Sequence, residues 1–210
     1  MRASLALSRW LAVVISAAGV AACAHNAAGV RAANPGDDMV KVLAARGPHP
    51  SLGPQAELFG RFVGTWDADY SFIAEDGSVR HKRGEVLFGW VLDGHALQDI
   101  FLSYPDSSSD ERKMVTGLRW VDPRTGRWTL AFVAPTFDVV VRMEAAAEGD
   151  RIVLRGKDSK GALLRWSFND IRQDSFVWRG ESSHDGGKTW RLEEEHHMKR
   201  RPAVRAGGAA

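Results

Sequence analysis

Thr65-Trp66-Asp67-Ala68-Asp69-Tyr70-Ser71-Phe72 is the stretch on which the fold is decided. Trp66, Ala68, Tyr70 and Phe72 take every second position, and Thr65, Asp67, Asp69 and Ser71 take the others. Successive side chains of a strand point to opposite faces, so the pattern gives one apolar and one polar face. An antiparallel strand packed on one side requires just that division. Glu75-Asp76-Gly77-Ser78 follows with the residues of a tight turn and predicts a hairpin.

The same rhythm continues to the C-terminal end. Val86, Phe88, Trp90 and Leu92 mark a second strand, and Asp93-Gly94 turns it. His95 to Tyr104 reads as a third strand, Met114 to Val121 as a fourth, with the polar loop Pro105 to Lys113 between them. Trp128, Leu130 and Phe132 mark a fifth, Val139, Val141 and Met143 a sixth, Ile152 and Leu154 a seventh. Leu164, Trp166 and Phe168 mark an eighth, Phe176 and Trp178 a ninth, and Trp190, Leu192 and Met198 the last. Short Gly- and Asp-rich links leave no room for crossover helices, so neighbours in sequence pair antiparallel. A flat sheet of this width would expose two edges, and closure removes them; a sandwich is the alternative architecture. The expected fold is all-β: a single antiparallel up-and-down β-barrel of about ten strands over 55–202. A short helix stands before it, and a disordered tail follows over 203–210.

Ahead of the strands the chain changes character. Arg2 and Arg9 precede the apolar run Trp10 to Val20, which is too short for the ~20 residues of a membrane-spanning helix. A basic start, a short apolar run and small residues form a secretory signal, expected over 1–22. The only cysteine, Cys23, follows Val20-Ala21-Ala22. That run resembles a bacterial lipobox, which implies lipidation of Cys23, a membrane anchor and a place in the periplasm or cell envelope. Cleavage after Ala24 fits the same residues. Residues 23–54 are rich in Ala, Gly and Pro and read as a flexible tether, with a short helix over Asp37 to Ala45. One cysteine allows no intrachain disulfide, so packing alone must hold the domain.

Hydrophobic residues make up 44% of the chain and charged residues 26%, as in ordinary globular proteins. With Arg2 and Arg9 removed, the remaining basic residues balance the acidic ones, and no basic block is interleaved with aromatics. Nucleic acid is therefore not an expected partner. Lys199-Arg200-Arg201 reads as a solvated strand end. The chain has 8 Trp against 2 Tyr, an excess suited to filling or lining a barrel.

Phe62-Val63-Gly64-Thr65-Trp66, preceded by the helix-like Gln55 to Phe59, resembles the start of the calycins, the lipocalin and fatty-acid-binding-protein superfamily. Leu92-Asp93-Gly94, Trp120-Val121-Asp122-Pro123, Asp174-Ser175-Phe176-Val177-Trp178 and Ser183-His184-Asp185-Gly186-Gly187-Lys188-Thr189-Trp190 resemble an uncharacterised bacterial family of lipocalin-like barrels. The resemblance implies a barrel whose first Trp closes one end. Nitrobindins, haem-binding barrels of ten strands, carry their ligating His on the last strand, where this chain has His196 and His197. Their glycine-rich run in the first strand is absent from Asp67 to Phe72.

A ten-stranded barrel is wider than side chains alone must fill, so an apolar interior space is expected. The expected lining is Trp66, Tyr70, Phe88, Trp90, Trp166, Trp178 and His196, and the expected partner is a small hydrophobic ligand. Phe72, Trp128, Phe132, Phe168, Phe176 and Trp190 are expected to point inward as well. His196 shares the face of Trp190, Leu192, Glu194 and Met198, and an inward imidazole can bind a metal or haem iron or simply hydrogen-bond Glu194. Arg119, between Leu118 and Trp120, is expected to point outward. No catalytic set stands out: Gly-x-Ser-x-Gly, His-Glu-x-x-His and a phosphate loop are all missing, so no enzyme and no cofactor are expected. A packed barrel serving as a structural or interaction module is the third reading.

Overall fold

Each strand hydrogen-bonds its neighbours in sequence, and the last pairs with the first, so the wall has no free edge. The computed structural model describes residues 35–107 and 110–202. The expected signal, Cys23 and the tail over 203–210 lie outside the described residues. The strands are β1 (Gly64–Ile73), β2 (Val79–Val91), β3 (Ala96–Ser103), β4 (Lys113–Val121) and β5 (Trp128–Ala134). Next come β6 (Val139–Glu148), β7 (Arg151–Lys157), β8 (Leu163–Asn169), β9 (Ser175–Ser183) and β10 (Arg191–Arg200). All pairings are antiparallel, and β1 closes on β10 with Trp66 opposite Arg200 and Tyr70 opposite His196. The expected closed up-and-down barrel of ten strands is the observed one.

One end is sealed. Helix α2 (Ala56–Gly60), with the 3₁₀ turn Pro50–Gln55 before it, carries Phe59 into the barrel and the turn after it carries Phe62, where they are 0% and 1% exposed. The Trp66 indole donates to Phe62 O at 2.7 Å, and Trp128 donates to Gln55 O at 3.1 Å. Both indoles thereby satisfy their polar atom while filling the core. Arg200 fastens the seal from outside. Its guanidinium lies 4.0 Å from the Trp66 ring and donates to Arg61 O, Val63 O and Gln173 O. Arg201 pairs with Asp67 and Glu85. The basic cluster read as a solvated strand end is thus largely built into the wall, because three free carbonyls and an indole face sit within reach.

The segment read as a tether meets the barrel from Ala44 on. Helix α1 (Pro35–Leu43) leads to a bridge between Ala44 and Val91, and Ala45 N donates to Trp90 O. His49 N donates to Gly94 O, and the His49 and His95 rings stack at 3.9 Å.

Two inward-facing assignments are corrected. Beyond His196 the β9–β10 register shifts between Leu192 and Glu194. Glu193 is the extra residue of a bulge, so Leu192 falls opposite Glu181 on the outer face. Trp190 precedes the strand and lies over the Arg165 guanidinium at 4.1 Å, outside the barrel. On β4 the inward residues are Gly117 and Arg119, both buried, while Met114, Leu118 and Trp120 face out. Arg119 therefore points inward: it sits opposite Leu97 and Leu130, both 0% exposed.

Candidate functional site

Arg119 and Asp99 divide the interior into two halves. The Arg119 guanidinium donates to Asp99 Oδ2 at 2.5 Å, and both residues are buried. On the sealed side the guanidinium lies 5.2 Å from the Phe59 ring and 5.9 Å from Phe168. Gly117 makes the pair possible, since a Cβ there would come within 2.5 Å of Asp99 Oδ1. Burial pushes the Asp99 carboxyl up, and the Arg119 charge pulls it back. Arg119 Nε and Asp99 Oδ1 have no hydrogen-bond partner, which is uncommon for buried polar atoms.

The half below the pair is packed solid. Trp66, Phe59 and Phe168 are 0% exposed, and Phe62, Phe168 and Phe176 form a cluster with centroids 4.8–5.4 Å apart. Of the expected ligand-lining residues, Trp66, Phe88 and Trp90 belong here, with Trp90 packed on Gly60 of α2.

The other half is an aromatic bowl. The His196 ring lies flat on Trp178, 5.0 Å between centroids and 13° between planes. Tyr70 meets its edge at 4.9 Å and Phe72 at 5.4 Å. Trp178 leads on to Trp166 at 5.5 Å, and Trp166 to Phe132 at 5.1 Å, with Phe101 6.3 Å from Trp178. Tyr70, Trp166, Trp178 and His196, four of the expected lining residues, therefore come together, joined by Phe72, Phe101 and Phe132. Phe72, Phe101, Phe132 and Trp166 face inward yet stay only partly buried. The inward aromatic rings of the sealed half are all buried. Gly180, opposite Trp166, lets the Trp178 indole lie across it, since a Cβ there would stand 2.9 Å from the ring.

His196 is 3% exposed. Its Nε2 lies 3.0 Å from Glu194 Oε2, and its Nδ1 is buried without a partner. The Tyr70 hydroxyl reaches Glu85 O at 3.0 Å and Leu102 O at 3.2 Å through the gap left by Gly84. Burial holds this phenol neutral, well above its ordinary range.

A notch of about 520 Å³ opens at the rim between the β1–β2 hairpin and the β10 bulge. Phe72 and Glu194, the two residues that shield His196, are in its lining together with Ile73, Val79, Arg80 and Glu193. A second depression, about 420 Å³, is lined by Asp69 of β1, Arg83 of β2, His197 of β10 and Tyr104 just after β3, among others.

The haem implied by the nitrobindin resemblance does not fit this arrangement. One face of the His196 ring is covered by Trp178, and Tyr70 and Phe72 close its surroundings. Neither depression is lined by the imidazole. Among the described residues no group of three or more His, Cys, Asp or Glu is placed to hold a metal, and no helix is long and apolar enough to cross a membrane.

No protein-family model and no curated protein matches the chain. Solved structures do. The crystal structure of Rv2717c from M. tuberculosis superposes with a TM-score of 0.53 at 15% identity, covering 71% of this chain and 99% of that one. The S-type phycobiliprotein lyase CPES from Guillardia theta gives 0.51 at 12% identity, covering 70% and 93%. A designed fluorescence-activating β-barrel covers 68% of this chain at a TM-score of 0.34. At these identities the first two likenesses speak for architecture alone, and the architecture they share with this chain is that of a lipocalin-like β-barrel.

Proposed function

We propose that this chain is an exported, envelope-anchored carrier whose open half holds a small, flat, largely apolar molecule against Phe101, Phe132 and Trp166. The observation that carries the reading is the asymmetry of the interior. Phe72, Phe101, Phe132 and Trp166 of the open half are only partly buried, whereas Phe59, Phe62, Trp66, Phe168 and Phe176 of the sealed half are packed to 0–1% exposure. An apolar concavity with a few polar groups at one end is the usual form of a small-molecule site. Attachment through Cys23 rests on the leader and on the small residues before that cysteine.

One of the solved structures of similar fold is a lyase, so the fold does not separate a carrier from an enzyme. The bowl offers packing surface and few polar groups, which suits a carrier. The test is native mass spectrometry and solvent extraction of protein purified without denaturant. The expected result is a bound organic molecule that is lost in Trp166→Ala. An absorbance spectrum of the same sample with a haem Soret band that vanishes in His196→Ala would overturn this choice of ligand. Protein that is empty and takes up no apolar probe would overturn the carrier reading. Labelling with radioactive palmitate, expected in the native chain and absent from Cys23→Ser, tests the anchor.

A further inference from the structure

The inner face of β2 changes character toward the open end. From the sealed end its inward positions are Trp90, Phe88, Val86 and Gly84, none of them charged. The next two are Lys82 and Arg80. Register sets Lys82 opposite Tyr70 and Arg80 opposite Phe72, and residues directly opposite in a sheet share a face. Two cations therefore turn into the mouth beside the aromatic residues of the bowl. Lys82 is 8% exposed, and its ammonium lies 3.0 Å from Asp106 Oδ2. Arg80 is exposed, lies 5.2 Å from the centre of the Phe72 ring and lines the rim notch.

Lysine is rarely buried without a partner, and an apolar side chain would serve a purely structural wall at least as well as a buried ion pair. The partner here is not part of the wall. Asp106 belongs to the loop between β3 and β4, and its side chain is 32% exposed. Its carboxylate is exchangeable: another anion in the same place restores the charge pair on Lys82, while Asp106 turns to water. The rim carboxylates nearest the notch are engaged elsewhere, Glu193 by Arg191 and the Ser182 hydroxyl, Glu194 by His196. Lys82 stands four residues nearer the mouth than Val86, the residue opposite Phe101. That is about 13 Å along the strand, and the lysine stem shortens the gap. An elongated molecule can thus touch both ends.

Building on the carrier reading, we infer that the ligand is an amphipathic organic acid. Its apolar body lies on Phe101, Phe132 and Trp166, and its single anionic head group takes the place of Asp106 on Lys82, with Arg80 at the entrance. A few placed polar groups at one end of an apolar site fix the orientation of what it holds. Lys82 is the residue that selects an acid over a neutral molecule of the same shape.

Two fluorescent probes that differ by one group test this: 1-anilinonaphthalene-8-sulfonate and its neutral analogue N-phenyl-1-naphthylamine. Each is titrated into the full chain, into Asp106→Asn and into Asp106→Asn combined with Lys82→Met. Asp106→Asn removes the competing carboxylate and is expected to tighten the sulfonate several-fold. The double variant is expected to weaken it about tenfold or more relative to Asp106→Asn, since a hydrogen bond between charged groups is lost. The neutral probe is expected to bind all three proteins alike, which also shows that the bowl is intact in the variants. Sulfonate affinity that is the same in all three, or that moves in step with the neutral probe, would overturn the head-group assignment and leave the carrier reading standing. A native chain that binds neither probe would overturn both.

Discussion

The imidazole of His196 lies face to face with the indole of Trp178, 5.0 Å between centroids and 13° from parallel. The pairing of β9 with β10 sets the two residues directly opposite each other. Trp178 thereby holds the histidine in place and forms one wall of the open bowl. Trp178→Ala removes both functions and leaves a large void, so a loss of about 3–5 kcal/mol is expected in urea unfolding. Trp178→Phe keeps an aromatic face and should lose much less. Equal losses in the two variants would contradict this account, since phenylalanine keeps both a ring face and most of the volume.

The Asp99–Arg119 pair should be costly to break and easy to replace. Arg119→Met alone strands a buried carboxylate and is expected to cost about 3–5 kcal/mol, whereas Arg119→Met combined with Asp99→Leu should recover most of it. A double-mutant cycle by chemical denaturation measures the difference. A double variant no more stable than the worse single variant would contradict this account of the pair.

The same aspartate gives a pH dependence. Burial raises its folded-state pKa above the ~3.9 of an unfolded aspartate. The folded chain then binds this proton more tightly, so the contribution of Asp99 to stability falls as pH rises through the folded value and recovers as pH drops. Thermal unfolding of the native chain relative to Asp99→Asn, which cannot titrate, should show the native chain gaining on the variant toward low pH. A gap that widens against the native chain as pH falls would reverse the assignment.

Arg200 should be worth far more than its place near a strand end suggests. It donates to three backbone carbonyls and lies over Trp66. Arg200→Ala is expected to cost about 2–4 kcal/mol, since hydrogen bonds from a charged donor and a cation–π contact are lost together. Arg200→Lys should recover only part, because a single ammonium cannot span three carbonyls. Full recovery by lysine, read from the urea midpoint, would show that charge alone matters.

Gly84→Ala should destabilise the barrel by about 1–3 kcal/mol, the usual penalty for overpacking. Its Cβ would stand 1.9 Å from Leu102 O and 2.6 Å from Tyr70 Cε2. Tyr70→Phe loses the hydroxyl but not the clash, so Gly84→Ala should remain harmful in that background. Thermal melts of both single variants and the double decide it.

Much of the barrel could be read from the chain because alternation and turn chemistry are local properties. Trp66 to Phe72 and the hairpin after Phe72 carried that information in full. Arg119 was misplaced because the apolar side of β4, Met114, Leu118 and Trp120, faces outward, against the rule that apolar residues turn to the core. Its partner Asp99 and the small Gly117 between them were the available signal, but they become visible only when strands are set side by side. Trp190 was misplaced because a bulge at Glu193 shifts the phase, and three consecutive glutamates hold no mark of where the extra residue sits. The split between a packed half and an open half was equally illegible, since Trp66 and Trp166 differ in surroundings and not in pattern.

The direct test of the bowl is a titration of the protein with 1-anilinonaphthalene-8-sulfonate, followed by the indole N–H signals in a ¹H–¹⁵N spectrum. The account predicts saturable shifts at Trp166 and Trp178 while Trp66 and Trp128, in the sealed half, stay fixed. Shifts confined to Trp66 and Trp128, or none at any of the four, would contradict it.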